Sequence, residues 1–183
     1  MKKILTLILA SASIMAIADE DGSGLYVGAG VGAGWNTMAA PATTFRLNGG
    51  YNFNQNWAIE LGTTGLTQSG AAYNQNYEYY DLSVKGTLPL SQTFDIYAQV
   101  GGAYGVPGLI AGSVPTQNVF GVNVPNVQSG VYQSSWGFVT GVGFDYNFTK
   151  HVAMNLSDLY YYGPSAGLAG NTNVLLLGVK YNI

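Results

Sequence analysis

The last ten residues, Val174-Leu-Leu-Leu-Gly-Val-Lys-Tyr-Asn-Ile183, indicate the fold class of this chain. Alternation with a period of two is typical of a β-strand that carries one kind of side chain on each face. An apolar face that runs to the final residue is typical of a strand whose outer side meets lipid and whose small or polar residues point inward. The outward set comprises Leu175, Leu177, Val179, Tyr181 and Ile183.

The amino-terminal segment predicts export. A short basic start, Met1–Lys3, precedes an apolar run from Ile4 to Ala10, and small residues then lead to Ala18. This order is typical of a cleavable secretory signal peptide, and the run is too short for the ~20 apolar residues of a membrane-spanning helix. We therefore expect residues 1–18 to be a signal peptide and residues 19–183 to form one barrel domain.

Composition excludes several function classes. Only 8% of the residues are charged, whereas soluble proteins average roughly 25%. Removal of residues 1–18 leaves four basic and nine acidic residues, which is too few basic groups for a nucleic-acid surface. The chain has no cysteine, so disulfides and cysteine-ligated metals are excluded.

Eight alternating segments, each about as long as a tilted strand needs to cross a bilayer, can be marked along the chain. They predict an all-β fold: an eight-stranded antiparallel up-and-down transmembrane β-barrel. The seventh segment is the least regular, because its alternation breaks at Asp158. The segments are Leu25–Trp35, Thr43–Phe53, one starting at Trp57, Tyr77–Leu88, Phe94–Val106, Ser135–Phe148, Val152–Tyr162 and Val174–Ile183.

The connections alternate in length. Those at 54–56, 89–93 and 149–151 are short, and those at 36–42, 67–76, 107–134 and 163–171 are longer. Because such barrels have short periplasmic turns and long extracellular loops, we expect both chain ends on the periplasmic side. Aromatic residues near both strand ends predict two belts at headgroup level. They are Trp35, Tyr104 and Trp136 near the long loops, and Tyr51, Phe53, Trp57, Phe94, Tyr146, Phe148 and Tyr181 near the short turns.

With these features the chain resembles the small eight-stranded outer-membrane barrels, the group that contains the OmpA transmembrane domain, OmpX and the Opa-type surface proteins. The resemblance covers residues 19–183 and implies a Gram-negative outer-membrane protein that contacts lipid and lipopolysaccharide. The terminal pattern resembles the signal that the barrel-assembly machinery reads. That signal usually ends in Phe, where this chain has Ile183.

Inward-facing charged residues are the main polar groups predicted for the barrel interior. An eight-stranded barrel is just wide enough for side chains to fill it, and charges buried there must pair. We expect a salt-bridge network that plugs the lumen, and the alternative is a small porin-like channel gated by these charges. The charged residues are Arg46, Glu60, Asp81, Lys85, Asp95, Asp145 and Lys180.

Other chemistry is weakly indicated. The glycines from Gly28 to Gly34 lack the following helix that a phosphate-binding loop requires. The single histidine, His151, falls in a short turn without catalytic partners, so neither an enzyme nor a metal or cofactor site is predicted. A soluble carrier with an apolar lumen is a further alternative, but its outer surface would be made of Gly, Asn, Asp and Lys.

The segment 107–134 carries the functional prediction, because specificity usually lies in loops on a rigid scaffold. No charged residue or histidine occurs between Ile96 and Phe144. The mixture of β-branched, aromatic and turn residues predicts a hairpin that continues the fifth and sixth strands. Its exposed apolar residues are a candidate contact for a host or cell-surface ligand, hence for adhesion: Val119, Phe120, Val122 and Val124.

Overall fold

The computed structural model describes residues 23–36, 39–69, 74–107, 116–119, 122–125, 134–163 and 171–183. Eight antiparallel strands close into a barrel in the order β1-β10-β9-β8-β5-β4-β3-β2. A separate two-stranded sheet pairs β6 with β7. The strands are β1 (Gly24–Asn36), β2 (Ala39–Asn52), β3 (Trp57–Ser69), β4 (Asn74–Pro89), β5 (Phe94–Pro107), β6 (Thr116–Val119), β7 (Val122–Pro125), β8 (Ser135–Asn147), β9 (Val152–Tyr162) and β10 (Thr172–Asn182).

Pairing of the first and last strands closes the barrel. β1 pairs with β10 over the whole register from Tyr26 opposite Asn182 to Asn36 opposite Thr172. A walk through hydrogen-bonded partners from Tyr26 around all eight strands returns to β1 at Asn36, ten residues higher. This stagger requires the strands to tilt by about 35–45° from the barrel axis.

The two faces of the wall differ sharply in polarity. The exposed set is apolar, from Val31 (66% exposed) on β1 to Leu61 (63%) on β3 and Val100 (58%) on β5. Among the described residues, the buried set contains five charged residues: Arg46, Glu60, Asp81, Lys85 and Asp145. Because a soluble protein would place these sets the other way round, the wall is built for an apolar solvent.

Each short turn is fixed by one polar side chain that accepts two backbone N–H groups. Asn54 Oδ1 accepts from Asn56 and Trp57, at 2.8 and 2.9 Å. Ser91 Oγ and Thr149 Oγ1 do the same for the residues two and three positions later in their own turns. Such Asx and Ser/Thr turns explain why these three connections are tight. We call this side of the barrel the turn end and the other side the loop end.

The predicted eight-stranded antiparallel barrel is confirmed, with three corrections. Alternation does not break in β9: Ser157, Leu159 and Tyr161 are buried, and Asp158 points outward between them. The connections expected to be long at 36–42 and 67–76 are shorter, because β1 to β4 extend beyond the apolar band, where pairing needs no lipid-facing side chains. The hairpin of β6 and β7 is a sheet of its own rather than a continuation of the ladder between β5 and β8.

Two predictions fall on other parts of the chain. The expected signal peptide, residues 1–18, lies outside the described residues. Most of segment 107–134 also lies outside them, including Phe120, and the backbones of Val119, Val122 and Val124 belong to β6 and β7.

Neighbouring glycines on β5 test the close approach of the strands. A Cβ at Gly101 would collide with the backbone of Leu82 and Ser83 on β4, whereas one at Gly102 would meet nothing within 4 Å. We expect Gly101→Ala to lower the free energy of unfolding by about 1–3 kcal/mol, as overpacking does, and Gly102→Ala to leave it almost unchanged. Urea unfolding in lipid vesicles measures both, and equal effects would contradict this account of the packing.

Candidate functional site

The interior of the barrel contains two groups of paired charges. The first, which we call the arginine cluster, comprises Arg46, Glu60, Thr64, Asp81 and Tyr161 and lies toward the loop end. The second, the lysine cluster, comprises Lys85, Tyr97, Asp145, Asn155 and Lys180 and lies toward the turn end. Tilted neighbouring strands bring these residues together although they are far apart in sequence.

Arg46 is the centre of the arginine cluster. Its guanidinium donates to both carboxylate oxygens of Asp81, at 2.7 and 2.8 Å, and to Glu60 Oε1 at 3.1 Å. It also donates to Thr64 Oγ1 and to the Tyr161 hydroxyl, at 2.8 and 2.9 Å. A fork that pairs with both oxygens of one carboxylate is the strongest geometry available to an ion pair. Both carboxylates are therefore compensated in the interior.

Glu60 connects the arginine cluster to the inner wall of β1 and β2. Its Oε2 accepts from the Tyr26 hydroxyl at 2.8 Å and from Asn48 Nδ2 at 2.9 Å. Gly50 and Gly62 make room for this arrangement, since a Cβ at Gly50 would lie 2.5 Å from the Tyr26 ring and one at Gly62 would collide with the Arg46 guanidinium. The small residues of one strand thus receive the large polar residues of the next.

Asp145 is the centre of the lysine cluster. It is fully buried and pairs with Lys180, and Lys85 Nζ lies 3.8 Å from the same carboxylate oxygen. Its other oxygen accepts from Asn155 Nδ2 at 2.5 Å. The Lys85 ammonium also lies 3.6 Å from the centroid of the Tyr97 ring, where a cation–π contact compensates for lost water.

The interior charges balance. Three cations, Arg46, Lys85 and Lys180, meet three carboxylates in the two clusters. The seventh charged residue predicted for the lumen, Asp95, lies apart from them. It is only partly buried near the turn end, where its Oδ2 accepts from Asn147 Nδ2 at 2.7 Å. Because the two clusters are neutral as a whole, their desolvation costs far less than isolated charges would.

Above the arginine cluster, at the loop end, the interior becomes apolar. Tyr79 and Tyr161 stack with ring centroids 4.5 Å apart, and the Tyr79 hydroxyl lies 2.9 Å from Thr172 Oγ1. We call this part of the interior the apolar layer. Its members are Ala42, Leu66, Tyr77, Tyr79, Ala103, Val139, Leu159, Tyr161, Val174 and Leu176.

A cavity of about 30 Å³ lies between the two clusters. Arg46, Glu60, Lys85 and Gln99 are among the residues that line it, and Gln99 Nε2 is buried without a hydrogen-bond partner. This volume admits about one or two water molecules. The polar part of the interior therefore has room for these water molecules beside Gln99.

The predicted belt residues and the terminal outward set all lie on the outside of the barrel or in its turns. Tyr51 packs on Phe53, and Tyr146 packs between Phe94 and Phe148, all at the turn end. Trp57 and Tyr181 are exposed at the same end. Trp35 and Trp136 are exposed near the loop end, where Trp136 contacts Tyr104. Leu175, Leu177 and Val179 are exposed on β10, and Ile183 N donates to Leu25 O at 2.8 Å.

The remaining candidate residues, His151 and the glycines of β1, have surroundings that indicate a structural role. His151 is exposed in its turn, and its Nδ1 lies 3.0 Å from Asn182 O. The glycines from Gly28 to Gly34 are part of β1 and lie close to neighbouring strands: a Cβ at Gly28 would meet the Asn48 side chain of β2, and one at Gly32 the backbone of β10. The described residues contain no group of three side chains that could hold a metal ion, and no helix in them is long and apolar enough to span a membrane.

Sequence reasoning missed the interior tyrosines as functional partners. Tyr79 and Tyr161 are not among the predicted site residues because neither is charged. Tyr161 also follows Asp158, where the sequence predicts a break in the alternation of β9. Period-two parity, counted through Asp158 without a break, places Tyr161 inside. Asn155 and Thr64 were likewise unassigned, since a neutral side chain becomes a network member only through its neighbours on other strands.

The geometry defines a class: a closed antiparallel barrel with a lipid-compatible exterior and an interior filled by paired charges. A family model described as "Outer membrane protein beta-barrel domain" matches residues 4–182. The chain belongs to this family and is an outer-membrane protein.

Solved structures share the fold. Neisserial surface protein A has a TM-score of 0.65 and 14% identity, with 88% of this chain and 97% of that chain covered. The amino-terminal barrel domain of OprF from Pseudomonas aeruginosa has a TM-score of 0.58 and 16% identity, covering 88% and 99%. Ail, the attachment invasion locus protein of Yersinia pestis, has a TM-score of 0.54 and 15% identity, covering 88% and 97%. No curated protein sequence matches the chain.

Removing Arg46 tests the arginine cluster. We expect Arg46→Met to lower the free energy of unfolding by about 3–5 kcal/mol, because Glu60 and Asp81 would remain buried without their cation. The control is Lys150→Met, which removes one positive charge from an exposed turn and should change stability by less than about 0.5 kcal/mol. Unfolding in lipid vesicles measures both, and similar small losses would show that the cluster contributes little.

Proposed function

We propose that the protein is a non-conducting structural barrel that presents surface loops, with adhesion through segment 107–134 as its specific role. The observation that carries the proposal is the filled interior. The apolar layer closes the barrel above the arginine cluster, and the charges below it are paired within the wall. A barrel with no open path acts through its surface.

The second candidate is a small channel gated by the interior charges. The cavity beside Lys85 and Glu60 favours it, because water already has room in the polar half. The apolar layer disfavours it, since Val139 and Val174 are almost completely buried and offer no groups that would replace the hydration of an ion, and the Tyr79 hydroxyl is already paired with Thr172. We therefore prefer a non-conducting barrel over a channel.

Planar-bilayer recordings distinguish the two candidates. We expect no discrete conductance steps from the wild-type protein or from Lys85→Ala, because neither has a path through the apolar layer. Removing both stacked rings with Tyr79→Ala and Tyr161→Ala should produce measurable steps, and Tyr80→Ala, an outward residue on the same strand, serves as control. Steps from the wild-type protein that change in Lys85→Ala would instead establish the gated channel.

The adhesive role is supported by the composition of segment 107–134. It is the longest connection between barrel strands and, like its surroundings from Ile96 to Phe144, carries no charge. It also contains the hairpin of β6 and β7. Of the structures that share the fold, Ail is an attachment invasion locus protein. An uncharged loop favours contact through apolar and hydrogen-bonding groups, so adhesion should depend little on salt.

Deletion of residues 112–130 tests adhesion. We expect cells that carry the deletion to lose most binding to host cells or matrix, whereas deletion of residues 164–170, in another connection, should leave binding unchanged. A heat-modifiable gel shift checks that both variants fold. Wild-type adhesion by the 112–130 deletion would remove the adhesive role and leave only the structural one.

The orientation and partners follow from the same proposal. Short turns at one end and segment 107–134 at the other support periplasmic termini, with the loops near lipopolysaccharide. The outward pattern of β10 supports recognition by the barrel-assembly machinery, and the apolar exterior supports direct contact with outer-membrane lipid. A catalytic role is not proposed, because His151 lies in a turn with a backbone carbonyl as its partner.

A further inference from the structure

Two carboxylates of the barrel strands point away from the interior, Glu78 and Asp158. Glu78 lies near the loop end of β4 and accepts a hydrogen bond from the Tyr80 hydroxyl at 2.8 Å. Asp158 lies in β9 between Ser157 and Leu159, which are buried, so its side chain belongs to the lipid-facing set. Its partner in β8, Val142, is 59% exposed, four residues from Tyr146 and six from Trp136. Asp158 therefore lies near the middle of the apolar band, and the exposed Tyr160 is the next outward residue above it on β9.

Among the described residues the carboxylate has no hydrogen-bond partner. Asp158 Oδ1 is buried without a hydrogen bond, and within the described residues no other contact of this side chain with a donor or cation occurs. An ionisable residue inside the membrane is costly and rare, and it normally pairs with another group. Acyl chains provide no donor, and lipid headgroups lie at the level of the aromatic belts. A second protein surface in the membrane can supply the missing donor.

The neighbouring strand carries a donor at the same height. In the order β1-β2-β3-β4-β5-β8-β9-β10, the partner on each strand lies about 3 Å closer to the loop end than the residue on the strand before it. Val142 on β8 therefore lies about 3 Å below its partner Asp158 on β9. Thr140 lies two residues before Val142 on β8 and about 5 Å higher. Its exposed side chain also has no hydrogen-bond partner among the described residues. Asp158 and Thr140 therefore lie within about 2 Å of the same height.

This pair is self-complementary about a twofold axis. Two copies inserted in the same orientation are related by an axis along the membrane normal, which brings together residues of equal height. An axis between β8 and β9 places each Asp158 opposite the Thr140 hydroxyl of the other copy. Exposed apolar residues flank the pair and pack around it: Phe138, Val142, Leu175 and Leu177.

We propose that the outer surface of β8 and β9 is a homodimer interface within the membrane, in which Asp158 of each copy accepts a hydrogen bond from Thr140 of the other. Polar side chains that pair across apolar surfaces stabilise association in lipid, where the alternative is an unsatisfied group in hydrocarbon. Neither residue touches the interior clusters, so the interface is independent of the proposed surface function.

Cross-linking tests the interface directly, because the chain has no cysteine. Val142→Cys places a thiol beside the proposed axis, and Leu47→Cys is the matched control: it is 54% exposed at a similar height on β2, on the opposite side of the barrel. In native outer membranes with copper phenanthroline, we expect a disulfide-linked dimer from Val142→Cys and at least fivefold less from Leu47→Cys.

Second-site variants then test the two polar groups. In the Val142→Cys background, Asp158→Leu should reduce the dimer yield at least fivefold and Thr140→Val about threefold, while Asp158→Asn, which still accepts a hydrogen bond, should retain most of it. A heat-modifiable gel shift confirms folding, and Asp158→Leu should not weaken the monomer. The proposal is overturned by equal yields at positions 142 and 47, by an unchanged yield in Asp158→Leu, or by capture of a different protein at position 142.

Discussion

Closure of the ladder between β1 and β10 is the constraint on which the rest of the structure depends. In hydrocarbon an unpaired backbone N–H or C=O has no water to bond, so an open sheet edge is excluded. The eleven-residue register from Tyr26 to Asn36 removes the only two edges that eight strands would leave. Once the barrel is closed, its stagger fixes the tilt, and the tilt fixes which residues of different strands meet at each level.

Closure with only eight strands makes the interior narrow, and this accounts for its chemistry. Large polar side chains fit only where the facing strand offers glycine, as Gly50 does for Tyr26 and Gly62 for Arg46. Within that space an unpaired charge would be strongly unfavourable, so cations and carboxylates occur in equal number in the two clusters. The same narrowness brings the rings of Tyr79 and Tyr161 into a stack toward the loop end. The interior is thus a core in the ordinary sense, with ion pairs as part of the packing.

The fold could be read from the sequence because lipid on one side and a packed interior on the other impose a strict period of two. That signal is strongest at residues such as Val179 and Tyr181, which alternate with Gly178, Lys180 and Asn182. The signal is misleading at Asp158, because a charged residue at an outward position resembles a break in the alternation although the strand continues through it. The pairing of Arg46 with Asp81 was also beyond reach, because it depends on the register between β2, β3 and β4, which no local pattern encodes. Strand ends were misjudged for a related reason: beyond the lipid, pairing continues without any apolar alternation.

Asp158 and Asp145 show how the same residue type acquires opposite roles from position alone. Asp145 faces inward, where Lys180, Lys85 and Asn155 surround it, and it contributes to a core that is complete within one chain. Asp158 is thirteen residues later and faces outward toward lipid, where no described residue donates a hydrogen bond to its Oδ1. The barrel compensates the charges of its interior clusters but leaves one outward carboxylate without a partner among the described residues. Its interior is therefore complete within one chain, whereas its lipid-facing surface is not. The physical difference between the two carboxylates is therefore the reason to look for assembly in the membrane, since a second protein surface can supply at mid-bilayer what the lumen supplies to Asp145.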